Sequence, residues 1–168
     1  MLSLEEIESE IARLARRINV SGDVLPTFGF SEQSGRPHIE VDGSGYRYVV
    51  AERGEEFERL TTHDLDELLY DVFQSVTSTL AIDYELKHRV ERQDCRRIGF
   101  QQQIELLSSL SPEWAKRRRL EHTQILRDHP FDDDASVRAT LTKELRDQGH
   151  TPEEAWRLAR DKYPEPRR

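Results

Sequence analysis

The sequence predicts an α+β fold dominated by helices: an N-terminal helix, a small antiparallel β-meander, then a bundle of about four to five helices. Three observations carry this. Apolar residues recur at helical spacing over residues 2–19, they alternate with polar ones over 38–60, and from Thr62 the period returns to about 3.6. Six of the eight glycines fall between the first helix and the end of the meander, where turns are needed.

Residues 2–19 form the first predicted helix. Ser3 and Glu6 are spaced as a capping box, and Leu4, Ile7, Ile11, Leu14, Ala15 and Ile18 make one apolar stripe. Arg13, Arg16 and Arg17 fall near its C-terminus, where the helix dipole favours cations. Then come Ser21-Gly22-Asp23, Pro26, Gly29 and Ser34-Gly35-Arg36-Pro37, all turn signals. His38 to Asp42 alternates as a strand, Asp42-Gly43-Ser44-Gly45 is a tight turn, and Tyr46 to Ala51 is a second strand. Arg53-Gly54 turns the chain again, and Phe57 with Leu60 belongs to a third strand.

From Thr62 to residue 163 the reading is helical. Thr62 and Asp64 can cap, and Leu65, Leu68, Leu69, Val72, Phe73, Val76 and Leu80 form a broad stripe. No Pro or Gly interrupts until Gly99, so 63–90 and 91–110 are two helices or one long kinked one. Phe100, Ile104, Leu107 and Leu110 continue the buried face. Ser111-Pro112-Glu113 opens another helix, running to about Arg127. Asp132, Asp133 or Asp134 caps the next, Ala135 to Gln148, closed by Gly149. Thr151-Pro152-Glu153-Glu154 opens the last, which ends before Pro164. The expectation is one domain over 1–163, with 164–168 a frayed tail.

The 168 residues carry 25 Lys and Arg against 33 Asp and Glu, a net charge of −8. Charged residues reach 35% where ~25% is usual, yet the signs mostly cancel and the apolar residues are periodic, so disorder is excluded. No stretch approaches the ~18 apolar residues of a membrane span, and Met1 to Glu6 is acidic where a signal peptide would be basic. The lone Cys95 excludes an internal disulfide and points to a reducing, cytoplasmic setting. Charge is uneven. Residues 1–60 hold 12 acids and 7 bases, 61–90 hold 6 and 2, and 91–168 hold 15 and 16.

Motifs for chemistry are weak. The six histidines stand singly; His38-Ile39-Glu40 lacks the Pro-Cys-x-x-Cys of a zinc deaminase, and His122 with His129 lacks His-Glu-x-x-His spacing. Solvated or capping histidines are the simpler reading, with no metal and no cofactor. Cys95 sits between Asp94 and Arg96-Arg97, but sequence neighbours on a helix point elsewhere, so it reads as a small buried hydrophobe. There is no Gly-x-Ser-x-Gly elbow and no phosphate loop. Lys116 to Arg119 would spread over about 300° of a helix and cannot all face one phosphate strand. A nucleic-acid-binding regulator using the C-terminal helices is therefore the alternative reading. The leading feature is acidic: Glu52, Glu55, Glu56, Glu58, Asp64, Asp66, Glu67 and Asp71, opposed in that stretch by Arg53 and Arg59. Such a patch either solubilises the chain or steers a basic protein partner onto it.

The run Tyr46-x-Tyr-Val-Val-x-Glu52-Arg53-Gly54-x-Glu56, with Arg59 and Thr61-Thr62, is followed by Asp66-Glu67-Leu68-Leu69-Tyr70-x-Val72-Phe73, Val76-Thr77, Ala81, Tyr84-Glu85-Leu86 and Arg89. Gln93-Asp94-Cys95-Arg96-Arg97, Phe100 and Gln103 complete the pattern. Over about residues 38–115 it resembles the immunity protein 63 family of bacterial polymorphic-toxin systems. Cys95 stands where an aromatic is expected and Asp71 where tryptophan is common. The resemblance implies a cytosolic, non-enzymatic antitoxin that binds a co-encoded toxin domain and blocks it; the acidic half of the chain suits a toxin with a positively charged substrate groove, such as a nuclease, with carboxylates standing in for phosphates. The eight acids above are the toxin-contact candidates. Within Glu52-Arg53-Gly54 the expected role is structural, the Gly making the turn and the Glu–Arg pair tying strand to helix.

Overall fold

The computed structural model describes residues 1–166. In chain order the elements are α1 (Leu4–Arg17), β1 (Thr27–Phe28), β2 (Ser34–Asp42), β3 (Gly45–Glu52), β4 (Glu55–Thr62), α2 (Leu65–Lys87), α3 (Cys95–Leu110), α4 (Pro112–Asp128), α5 (Ala135–Asp147) and α6 (Pro152–Lys162). The class is α+β with helices dominant. Among the described residues no helix is long and apolar enough to cross a membrane. The chain divides into two compact units, one of Met1–Leu80 with Gln103–Lys116, the other of Ala81–Gln102 with everything from Arg117 on.

In the first unit, α1 begins as its sequence dictates. The Ser3 hydroxyl accepts from the Glu6 N–H, and the Glu6 carboxylate accepts from the Ser3 N–H at 2.7 Å. The sheet order is β1-β2-β3-β4, antiparallel except that β1 pairs parallel to β2. Register sets the two faces. Ile39, Tyr48 and Leu60 fall opposite one another on one, and His38, Val49 and Arg59 on the other. Tyr46 and Tyr48 bring their rings to the core face, where Ile39, α1 (Ile7, Ile11, Leu14), α2 (Leu68, Phe73) and the α3–α4 corner (Leu107, Trp114) close around them. Trp114 stacks on Phe73 with ring centroids 6.0 Å apart. The meander thus exceeds the predicted 38–60, because β2 starts at Ser34 and β1 was not foreseen: two residues carry no readable period.

Arg53 (φ +52°) and Gly54 (φ +87°) make the two-residue β3–β4 turn, whose left-handed pair of conformations matches strand twist. Gln33 braces it, its side-chain oxygen accepting from the Gly54 N–H at 2.7 Å and its carbonyl from the Arg53 N–H at 3.2 Å. Glu52 meets Arg53 at 3.5 Å within the turn, so the pair does not tie strand to helix as expected. Of the two proposed caps of α2, Asp64 forms, its Oδ1 accepting from the Asp66 N–H, whereas Thr62 Oγ1 accepts from the Asp64 N–H ahead of the helix and shapes the turn that leads into it.

The second unit shows why α2 and α3 are separate helices without a Gly or Pro between them. Arg92 takes a left-handed conformation (φ +56°), and Asp94 Oδ1 then accepts from the Arg96 N–H to start α3. Asp94 is buried and also accepts from the Arg96 guanidinium and from the Asp132 N–H. Burial works to raise its carboxyl, but these donors outweigh it and hold the group below the usual carboxylate range. Arg96 goes on to the carbonyls of His129 and Pro130, and Arg97 pairs with Asp133 at 2.8 Å while lying 4.2 Å from the Phe131 ring centre. The Asp-Cys-Arg-Arg motif therefore builds a corner. The aspartates expected to cap α5 serve it instead: Asp133 accepts from the Asp94 N–H, Asp132 pairs with buried Arg138, Asp134 pairs with Arg92, and Asp134 makes no side-chain cap. Cys95 is exposed, not buried, because its helix face is turned from this network.

His122 is buried, contrary to the solvated expectation, and stacks on Phe100 at 3.7 Å between ring centres. His38, in the first unit, is buried too. Gly149 (φ +98°) follows α5, and the Thr151–Glu154 capping box opens α6 as predicted. The expected frayed tail extends over residues 167 and 168, which lie outside the described residues.

Candidate functional site

Five of the eight candidate acids need one strand and its turn to reach the surface. Glu52 ends β3; Glu55, Glu56 and Glu58 lie on β4; Asp64 follows it. Asp66, Glu67 and Asp71 lie on α2. β4 is the terminal strand of the sheet, and every residue from Glu55 to Thr61 is exposed. Its pairing with β3 contains a bulge: Val50 faces Glu58 and Ala51 faces Glu56, leaving Phe57 as the extra residue.

The acids differ in how they are held. Glu56 is committed to Arg59 through two hydrogen bonds of 2.5 and 2.8 Å, which hold its carboxyl below the usual range. Arg59 also reaches Glu40 at 3.2 Å, and Arg47 binds Glu40 and Asp42. Burial works to raise the Glu40 carboxyl, but donation from Arg59, His38 and Arg47 keeps it low. These long side chains lie across the sheet face opposite the core, over buried Val49 and His38. Asp66 is held inside the unit, accepting from buried Trp114 Nε1 at 3.0 Å. Asp64 is occupied as a cap. Among the described residues the Glu52 carboxylate pairs with the exposed Arg53 side chain.

Glu58 and Asp71, from β4 and α2, act together on Tyr48. Burial first, then these two negative charges, push its phenol up to about 12, against a lowering hydrogen bond with Ser75. Glu55 and Glu58 make no ion pair among the described residues, while Glu67 and Asp71 are not free. What the acids surround was missed by sequence reasoning. Phe57 is 66% exposed and Leu60 38%, both on this terminal strand. The signal was Glu55-Glu56-Phe57-Glu58, an aromatic that strand alternation alone does not place on either face. The basic run of α4 is partly spent on Glu121, which pairs with Arg117 and Arg118. Among the described residues no group of three or more His, Cys, Asp or Glu is arranged to hold a metal.

The family model Immunity protein 63 matches residues 42–124, from the end of β2 into α4, about half of the chain. No curated protein and no solved structure matches.

Proposed function

Because residues 42–124 are of the Immunity protein 63 family, we propose that the chain is a bacterial antitoxin that binds a co-encoded toxin domain and blocks it by occupying its working surface. It acts in the cytoplasm, by binding rather than by catalysis, with no cofactor. The observation that supports this best is the β4 surface, where Glu55 and Glu58, without an ion pair among the described residues, flank the exposed Phe57 in sequence. A toxin with a positively charged substrate groove, such as a nuclease, offers the complementary surface, and carboxylates there take the places of phosphates. The front of the chain carries the acid excess that speeds such an encounter.

Co-expression tests the reading. Growth is restored when this chain accompanies the co-encoded toxin domain, and a neighbour that is harmless alone, or lethal in the chain's presence, overturns it. The double reversal Glu55→Lys with Glu58→Lys lowers the association rate about tenfold or more at low salt, an effect that shrinks as salt rises. An unchanged rate moves the contact off β4.

A further inference from the structure

We infer that the toxin is captured by strand addition. An extended segment bearing Lys or Arg pairs with the free edge of β4, and Phe57 is the apolar anchor. This rests on the antitoxin reading and specifies how the contact is made. β4 pairs with β3 on one side only, and its other side carries the N–H and C=O groups of an exposed eight-residue strand. The opposite end of the sheet offers nothing comparable, because β1 is two residues long. An edge is also preorganised here: Gln33 fixes the Arg53–Gly54 turn from below, and Arg59 locks onto Glu56 and Glu40. Little ordering remains to be done on docking.

Free edges are normally blunted by charge and by bulges, and β4 has both. Those devices reject one partner more than others. A second copy of this chain would set Glu55, Glu56 and Glu58 against their own counterparts, with Arg59 already committed. Like charges directly across a strand pair disfavour that pairing, so the edge is closed to self-association. A cationic strand meets the reverse situation: its side chains pair with Glu55 and Glu58, its backbone satisfies the outer edge, and an apolar residue covers Phe57. An edge guarded only for solubility has no use for a phenyl ring 66% exposed at its bulge.

The test uses the full chain with its co-encoded toxin domain. Hydrogen exchange is followed on the unsubstituted chain, free and in the complex, so no variant needs to fold for the result to count. The outward-pointing amides among residues 55–62, those not already bonded to β3, slow by about tenfold or more on complex formation, as added ladder bonds require, while those of α5 stay unchanged. Phe57→Ala raises Kd about tenfold, and Glu144→Lys on α5 leaves it within about twofold. A complex that forms without slowing of those outward-pointing amides overturns strand addition and leaves the antitoxin reading standing. Absence of any complex overturns both.

Discussion

At the scale of single residues, the charged side chains divide by what surrounds them. Asp94, Asp132 and Asp133 are consumed in holding a corner, Asp66 in holding Trp114, and Glu56 in holding Arg59. His122 is a basic group whose neutral form the fold favours. Burial, reinforced by Arg118 and opposed by Glu121, pushes its imidazole down to about 4. A base with a depressed folded pKa contributes its full stability above the unfolded value of 6.5 and loses it as pH falls toward 4. The loss amounts to no more than about 3 kcal/mol across that window. Denaturant titrations at intervals from pH 7 to pH 4 will show His122→Phe, which keeps the stack on Phe100, losing less stability than the natural chain. Parallel curves for the two proteins would mean that His122 titrates normally.

At the scale of elements, the β3–β4 hairpin carries the exposed strand, and its turn has two left-handed residues of which one is arginine. Asn accepts that conformation more readily than Arg, so Arg53→Asn stabilises by a few tenths of a kcal/mol. Gly54→Ala costs about 1–2 kcal/mol, since a Cβ there is strained although open space surrounds it. Urea midpoints with an unchanged slope are the readout, and a neutral Gly54→Ala would show that the turn adopts another conformation. The helices and the meander were legible in the sequence because each keeps its period for many residues and several have capping side chains. β1 was not, having too few residues for a period. The α2–α3 break and the displaced aspartates around α5 were not either, because Asp94 meets partners 38 and 39 positions away. Of the candidate site, the acids could be read as a cluster, but which of them are spent internally depends on strand register, and the exposure of Phe57 depends on β4 being the last strand.

At the scale of the molecule, acid excess sits in the first ninety residues, while 91–168 is nearly neutral and binds its charges to one another. Within the first unit a core of α1, the sheet and α2 to α4 supports a strand whose outward side pairs with no other strand among the described residues. If that strand is the working part, as proposed, the chain neutralises its target by staying in place on it, not by changing it. Titrating the purified co-encoded toxin domain with this chain, while following the toxin's activity, tests this most directly. Activity falls in proportion to the chain added and vanishes at equimolar amounts, returning when the complex is separated. Loss of activity by a trace of the chain, or damage that persists after separation, would identify a catalyst and contradict the account.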